Sequence, residues 1–148
     1  KLFEVLVNGA RGAMIIDGKN AILGRVSSIV AGKLLAGEEI TIVNAEKIII
    51  TGDPDGIMKK YIERRQRGSP QHGPFFPKQP SLIVRRTIRS MLPYKTNKGR
   101  AALKKLRVYA GVPADFSNEK LENFAIKAVR SDFMRVGDVA KNLGWQGK

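Results

Sequence analysis

Near the start of the chain an apolar strand, an amphipathic helix and a second, almost wholly apolar strand follow one another. This order restricts the fold more than any other feature of the sequence. Ile15 and Ile16 end at the turn Asp17-Gly18. Over residues 21–35, Leu23, Val26, Val30 and Leu34 fall on one stripe at helical spacing, with Asn20 placed to cap the start and Gly37 to stop the end. Ile40-Thr41-Ile42-Val43 is β-branched and lacks the alternation of a half-exposed strand, so it is expected to be buried on both faces. Together these predict a βαβ unit, a parallel pair with a right-handed crossover, and hence an α/β fold. Ile48-Ile49-Ile50-Thr51 reads as a further strand or an extension of the last.

Asp53 is placed to cap the next helix and Pro54 to open it, with Ile57, Met58, Tyr61 and Ile62 as its apolar face. Residues 68–80 then lose all periodicity and contain four of the seven prolines. A loop this long in a compact domain is usually functional or disordered, and the pair Phe75-Phe76 argues against simple disorder. Ser81 is placed to cap a helix running to about Leu92. Val84, Ile88, Met91 and Leu92 line one side of it, Arg85, Arg86 and Arg89 the other, and Pro93 ends it. Asn97 is placed to cap a short helix with Ala102, Leu103 and Leu106 inward. Residues 106–110 read as a strand and 111–113 as a turn. Leu121, Phe124 and Val129, then Val136, Val139, Ala140 and Leu143, keep helical spacing up to Gly144 and Trp145. No repeat or linker divides the chain, and 148 residues at 43% hydrophobic suit one domain with a packed core.

Charge is segregated within this frame. Residues 59–107 hold 15 basic side chains and one acid, Glu63, while the remainder carries 12 of each sign. The net charge of +14 therefore belongs entirely to the central third. Crowding like charges costs self-repulsion unless an anion neutralises them, so a polyanionic partner is favoured over a merely solvated face.

Several chemistries are excluded. No apolar run approaches the ~20 residues of a membrane-spanning helix. Glu4 and Asn8 break the apolar start, which is too short for a secretory leader, so a soluble intracellular protein is expected. With no Cys and one His there is no disulfide, thiolate site or multi-histidine zinc site. Asp17-Gly18-Lys19-Asn20 sits between strand and helix like a nucleotide loop but lacks its glycine spacing. Asp53 and Asp55 suit a helix cap and first-turn charge better than a metal pair. His72 suits hydrogen bonding or stacking better than catalysis. No enzyme, cofactor or metal is expected.

Basic faces on amphipathic helices, separated by a Gly/Pro loop, suit a folded RNA. The apolar faces fix each helix, and the outer faces present Lys59, Lys60, Arg64, Arg65, Arg67, Lys78, Arg85, Arg86, Arg89, Lys95, Lys98, Arg100, Lys104 and Lys105 to phosphates. His72, Phe75 and Phe76 are candidates for stacking on bases, the two Phe being equally suited to packing the loop onto the protein.

Several spaced motifs carry a family likeness: residues 17–25 (DGKNAILGR), 42–46 (IVNAE), Arg67-Gly68 through Gly73-Pro74-Phe75, 85–93 (RRTIRSMLP), Lys95-Thr96, Gly99-Arg100 and 106–111 (LRVYAG). In this order they resemble the universal large-subunit ribosomal protein family numbered thirteen, in its archaeal and eukaryotic form, from about Ile15 to Trp145. The resemblance implies a three-layer α/β/α sandwich around a four-stranded, largely parallel sheet. It implies no enzymatic activity, early joining of the large ribosomal subunit, binding of large-subunit rRNA, and contact with neighbouring ribosomal proteins in the cytoplasm. By the same likeness Arg85, Arg86, Arg89, Lys95, Lys98 and Arg100 lie against RNA, and Arg25 does so beside Gly24, which allows close approach. Residues 14–148 then form the single ribosomal-protein domain. Residues 1–13 have no family counterpart and read as an N-terminal extension, either lineage-specific or vector- or upstream-encoded. The alternative is an RNA-binding translational regulator acting outside the ribosome through the same surface.

Overall fold

Strand β1 (Met14–Asp17) runs parallel to β2 (Ile40–Val43), Met14 opposite Ile40 and Asp17 opposite Val43, and helix α1 (Leu23–Leu35) crosses over between them. The predicted βαβ unit is therefore present. The computed structural model describes residues 14–124 and 129–147. Strand β4 (Leu106–Val108) pairs parallel with the far side of β2, and β5 (Glu122–Asn123) pairs parallel with β1. The sheet order is β4-β2-β1-β5, four parallel strands with helices packed on them, the architecture of a three-layer α/β/α sandwich. Ile40, Ile42 and Val43 are buried, as an apolar strand between two neighbours requires.

Helix α1 buries Leu23, Val26, Val30 and Leu34 as its spacing predicts, and Ser27 and Ala31 with them. Its start differs from expectation. The helix begins at Leu23, Ile22 holds the N-cap position, and no side chain caps it. Asn20 instead adopts a left-handed conformation, φ 57°, and its amide oxygen accepts from the Arg135 guanidinium at 3.2 Å. Asn tolerates this conformation better than most residues, so a long-range hydrogen bond took the side chain that local sequence assigned to the helix. Gly37 does stop α1, at φ 97°, with its N–H on the Leu34 carbonyl.

Strand β3 (Ile49–Thr51) does not extend β2. It pairs antiparallel with β6 (Phe133–Arg135) in a separate two-stranded ribbon, Ile50 opposite Met134. A short 3₁₀ turn, Ala45–Lys47, separates β2 from β3, entered through Asn44 at φ 56°. Helices α2 (Pro54–Gln66), α3 (Pro80–Met91), α4 (Asn97–Lys104) and α5 (Val136–Asn142) complete the described elements. Helix α3 is central: it packs on α1, on α5 and on β4. It begins one residue before the anticipated cap Ser81, because Pro80 occupies the first turn with its preset φ. Ile83, Val84, Ile88 and Leu92 are buried, whereas Met91, expected inward, is 42% exposed. Between Leu121 and Phe124 the chain forms strand rather than helix, because Glu122 and Asn123 pair with β1. Residues 125–128, the middle of the anticipated helix, lie outside the described residues, as do residues 1–13, read from sequence as an extension. The later helix is α5, with Val136, Val139 and Ala140 buried as expected.

Candidate nucleic-acid interface

Asp53 fixes the start of α2 by accepting the Gly56 N–H at 3.0 Å, with Pro54 at the first position. Only Ile57 and Tyr61 of this helix are buried, so Lys59, Lys60, Arg64 and Arg65 stand in solvent. Tyr61 receives the ring of Phe76 edge-on at 5.7 Å. The Arg64 guanidinium lies 5.5 Å over Tyr61, and that of Arg86 lies 4.8 Å over Phe76. Burial raises the Tyr61 phenol above its ordinary pKa, and Arg64 pulls weakly the other way.

The loop between α2 and α3 is tied down by arginines from both helices. Arg65 Nη1 donates to the Phe76 carbonyl at 2.9 Å and Arg86 Nη1 to the Phe75 carbonyl at 3.2 Å. Its tip closes where Ser69 and Gly73 exchange backbone hydrogen bonds of 3.1 and 2.8 Å. Gly68 there holds φ 98°, and a Cβ on it would run into the Gly73 carbonyl, so the turn needs glycine. His72 is exposed at this tip. The two phenylalanines divide their roles: Phe76 packs on the protein, while Phe75 is 69% exposed.

Between the start of α1, strand β3, α2 and α3 lies a groove of about 610 Å³. Ile22, Ile49, Ile50 and Phe76 give it an apolar floor. Lys60, Arg64 and Arg67 from α2 and its end, and Arg86 from α3, give it a cationic rim. Gly24 lines its mouth, with nothing within 4 Å of where a Cβ would stand. Arg25, the next residue, is exposed. Because α1 has no side-chain cap, its positive dipole end also lies at this groove.

A second cationic surface surrounds the turn after α3. Thr96, not Asn97, caps α4, accepting the Gly99 N–H at 3.2 Å. Gly99 is required here because a Cβ would strike the Pro93 carbonyl. The Arg89 guanidinium lies 4.7 Å over Tyr94, and Arg100 Nε donates to the Tyr94 carbonyl at 3.3 Å. Lys95, Lys98 and Lys104 are exposed here, Lys105 Nζ reaches the Gly37 carbonyl at 3.1 Å, and Lys78 is exposed at the other end of α3, before its first turn. Arg85 points elsewhere: it donates to the carbonyls of Leu106 at 2.7 Å and Leu103 at 3.3 Å.

Among the described residues, carboxylates neutralise almost none of this charge. Two ion pairs occur there, Lys33 with Glu38 at 3.6 Å and Arg67 with Glu63 at 2.9 Å, and only the second involves residues 59–107. The arginines are held instead by carbonyl oxygens and aromatic faces, which fix their positions and leave their charge unspent.

The nucleotide-like loop is closed to a phosphate. The N–H groups of Gly18, Lys19, Asn20 and Ala21 donate respectively to Val43 O, Asp17 Oδ1, Lys47 O and Gly18 O. A Cβ on Gly18 would sit 2.7 Å from Ile48 Cγ1, so this glycine serves packing rather than pyrophosphate approach. The groove floor was not legible in the sequence, because Ile49 and Ile50 read as strand residues and Ile22 falls outside the helical stripe. Sequence reasoning also missed Thr87 and Ser90, which line the groove beside Arg86. Their spacing of three on α3 was the available signal.

The family model described as Ribosomal protein L13 matches residues 11–115. A protein of Thermoplasma acidophilum named large ribosomal subunit protein uL13 is 46% identical, covering 88% of this chain and 97% of its own. Proteins of the same name from Archaeoglobus fulgidus (43% identical, 90% and 88% covered) and Methanopyrus kandleri (40%, 89% and 87%) are similar. With a family model spanning most of its length and relatives matched nearly end to end, the chain belongs to the ribosomal protein L13 family.

Proposed function

We propose that the chain is a structural constituent of the large ribosomal subunit that binds and stabilises large-subunit rRNA, joining early in assembly and meeting neighbouring ribosomal proteins of that subunit in the cytoplasm. No chemical step is assigned to it. The observation that carries this reading is the uncompensated charge of residues 59–107, held on rigid helices with one carboxylate partner among the described residues. Such a surface gains its binding energy by releasing counterions from phosphates. Lys59, Lys60, Arg64, Arg65, Arg67, Arg86, Arg89, Lys95, Lys98, Arg100 and Lys104 are assigned to direct contact, with Arg25, His72, Lys78 and Lys105 at its margins. Arg85 supports the surface from within.

The test is charge reversal at exposed positions that the fold does not use. A variant with Lys59, Lys60, Lys95 and Lys98 changed to Glu is expected to keep the wild-type unfolding curve, lose large-subunit rRNA binding and fail to sediment with large subunits. Stoichiometric incorporation of that variant would overturn the reading. So would a wild-type protein found chiefly free of subunits and on messenger RNA.

A further inference from the structure

The groove between α1, β3, α2 and α3 is built for more than phosphate. A double-stranded stem offers a protein phosphates and 2′-hydroxyls while its bases stay stacked, so it has nothing to place on an apolar floor. An unpaired nucleotide carries both an aromatic face and a phosphate. The groove offers both complements: Ile22, Ile50 and Phe76 below, and Lys60, Arg64 and Arg86 at the rim. Its volume, about 610 Å³, falls in the usual range for pockets that enclose a small organic group, roughly 300–1,000 Å³.

We propose that this groove receives one unpaired nucleotide of the bound RNA, its base against Phe76 and the isoleucine floor and its phosphate among Lys60, Arg64 and Arg86. The proposal rests on the RNA-binding reading above. Arg86 is already fixed, by the Phe75 carbonyl at 3.2 Å and by the Phe76 ring at 4.8 Å, so its planar face is ordered before a ligand arrives. Guanidinium planes and aromatic rings are the surfaces on which splayed bases stack. An acidic, apolar segment of a protein would match the sign of the rim. It would not use the guanidinium held over the Phe76 ring.

The test uses the full chain with short single-stranded oligoadenylate and oligouridylate, a short RNA duplex, and large-subunit rRNA. The variant is Gly24→Trp, which puts a ring into the open mouth of the groove without removing a cation. Gly24 is helical, so replacing it favours the fold, and an unchanged or raised Tm verifies this. Gly24→Trp is expected to weaken single-strand binding by roughly 5- to 100-fold, the range for one stacked base. Duplex binding is expected to fall by less than single-strand binding, and the salt slope to stay as in wild type because no cation is removed. A 4-thiouridine placed in the oligouridylate is expected to crosslink to Phe76 in wild type and not in the variant. Equal single-strand affinity in the two proteins overturns the proposal and leaves the RNA-binding reading standing. Unchanged RNA affinity with lost subunit incorporation assigns the groove to a protein segment and also overturns it. Failure of wild type to bind any of these RNAs overturns both readings.

Discussion

The guanidinium of Arg85 donates to the backbone carbonyl of Leu106 at 2.7 Å, joining the middle of α3 to the first residue of β4. A second donation, to Leu103 at 3.3 Å, holds the end of α4 in the same fork. Arg85, Arg86 and Arg89 look equivalent in sequence, yet one is a structural tie. Arg85→Gln is therefore expected to lower stability by roughly 1.5–3 kcal/mol, the range for hydrogen bonds to a charged group. Urea unfolding measures this. Arg85→Lys should recover only part of the loss, since an ammonium cannot span two carbonyls in a fixed plane.

Arg89 is expected to behave oppositely. It is exposed and rests on Tyr94, so Arg89→Gln should leave the urea midpoint nearly unchanged. RNA affinity should fall, and the slope of log K against log salt should shrink by about 0.7–0.9 for the lost phosphate contact. For wild type, about 6–10 such contacts imply a loss of about 10³–10⁵ in affinity between 50 and 200 mM salt. Filter-binding titrations across salt read both quantities, and a flat salt dependence would contradict the assignment.

Tyr61 gives a pH signature. Its phenol ionises above the ordinary 10.0 because burial disfavours the phenolate. Between the ordinary and raised values the unfolded chain has released the proton and the folded chain still holds it. The stability tied to this group is thus fully present below pH 10 and is lost as pH rises through the folded value. Tyr61→Phe lacks the titrating group. Urea midpoints of the two proteins should agree at pH 8 and diverge above pH 10, with wild type falling faster.

Ser27 is the one buried side chain among the described residues whose polar atom finds no hydrogen-bond partner. It lies on the buried face of α1, between Val26 and Val30. Ser27→Ala removes a desolvated hydroxyl and substitutes a better helix former, so it is expected to raise stability by about 1 kcal/mol. A lower thermal midpoint would show that the hydroxyl is satisfied in solution.

Where a segment's burial is decided by its own periodicity, the sequence was a sufficient guide. The stripe Leu23, Val26, Val30 and Leu34 and the apolar run 40–43 led directly to β1, α1 and β2. Asp53 and Pro54 marked the start of α2 because a cap is local chemistry. Asn20 and Ser81 show the limit. Both carry capping side chains at plausible positions, and both were overruled, one by Arg135 from far along the chain and one by a neighbouring proline. The second ribbon was hidden for the same reason, since β6 pairs with β3 across more than eighty intervening positions. In the candidate site the cations were legible as composition, but their division was not. Only tertiary contacts separate Arg85 on carbonyls from Arg86 on a ring and from exposed Lys95 and Lys98.

The tie between Arg85 and Leu106 also bears on how the protein avoids its own kind. β4 is a border strand, and its ladder to β2 runs through Lys105 and Tyr109, so by the alternation of a strand Leu106 turns its carbonyl outward. An open border of this sort is a template on which a stray strand from another molecule can grow. Arg85 occupies the first acceptor on that border, and Arg107 beside it is exposed and cationic. With that acceptor taken and a like charge beside it, the border of one copy offers another copy a poorer template, and strand-on-strand growth between copies is opposed where the fold alone would invite it.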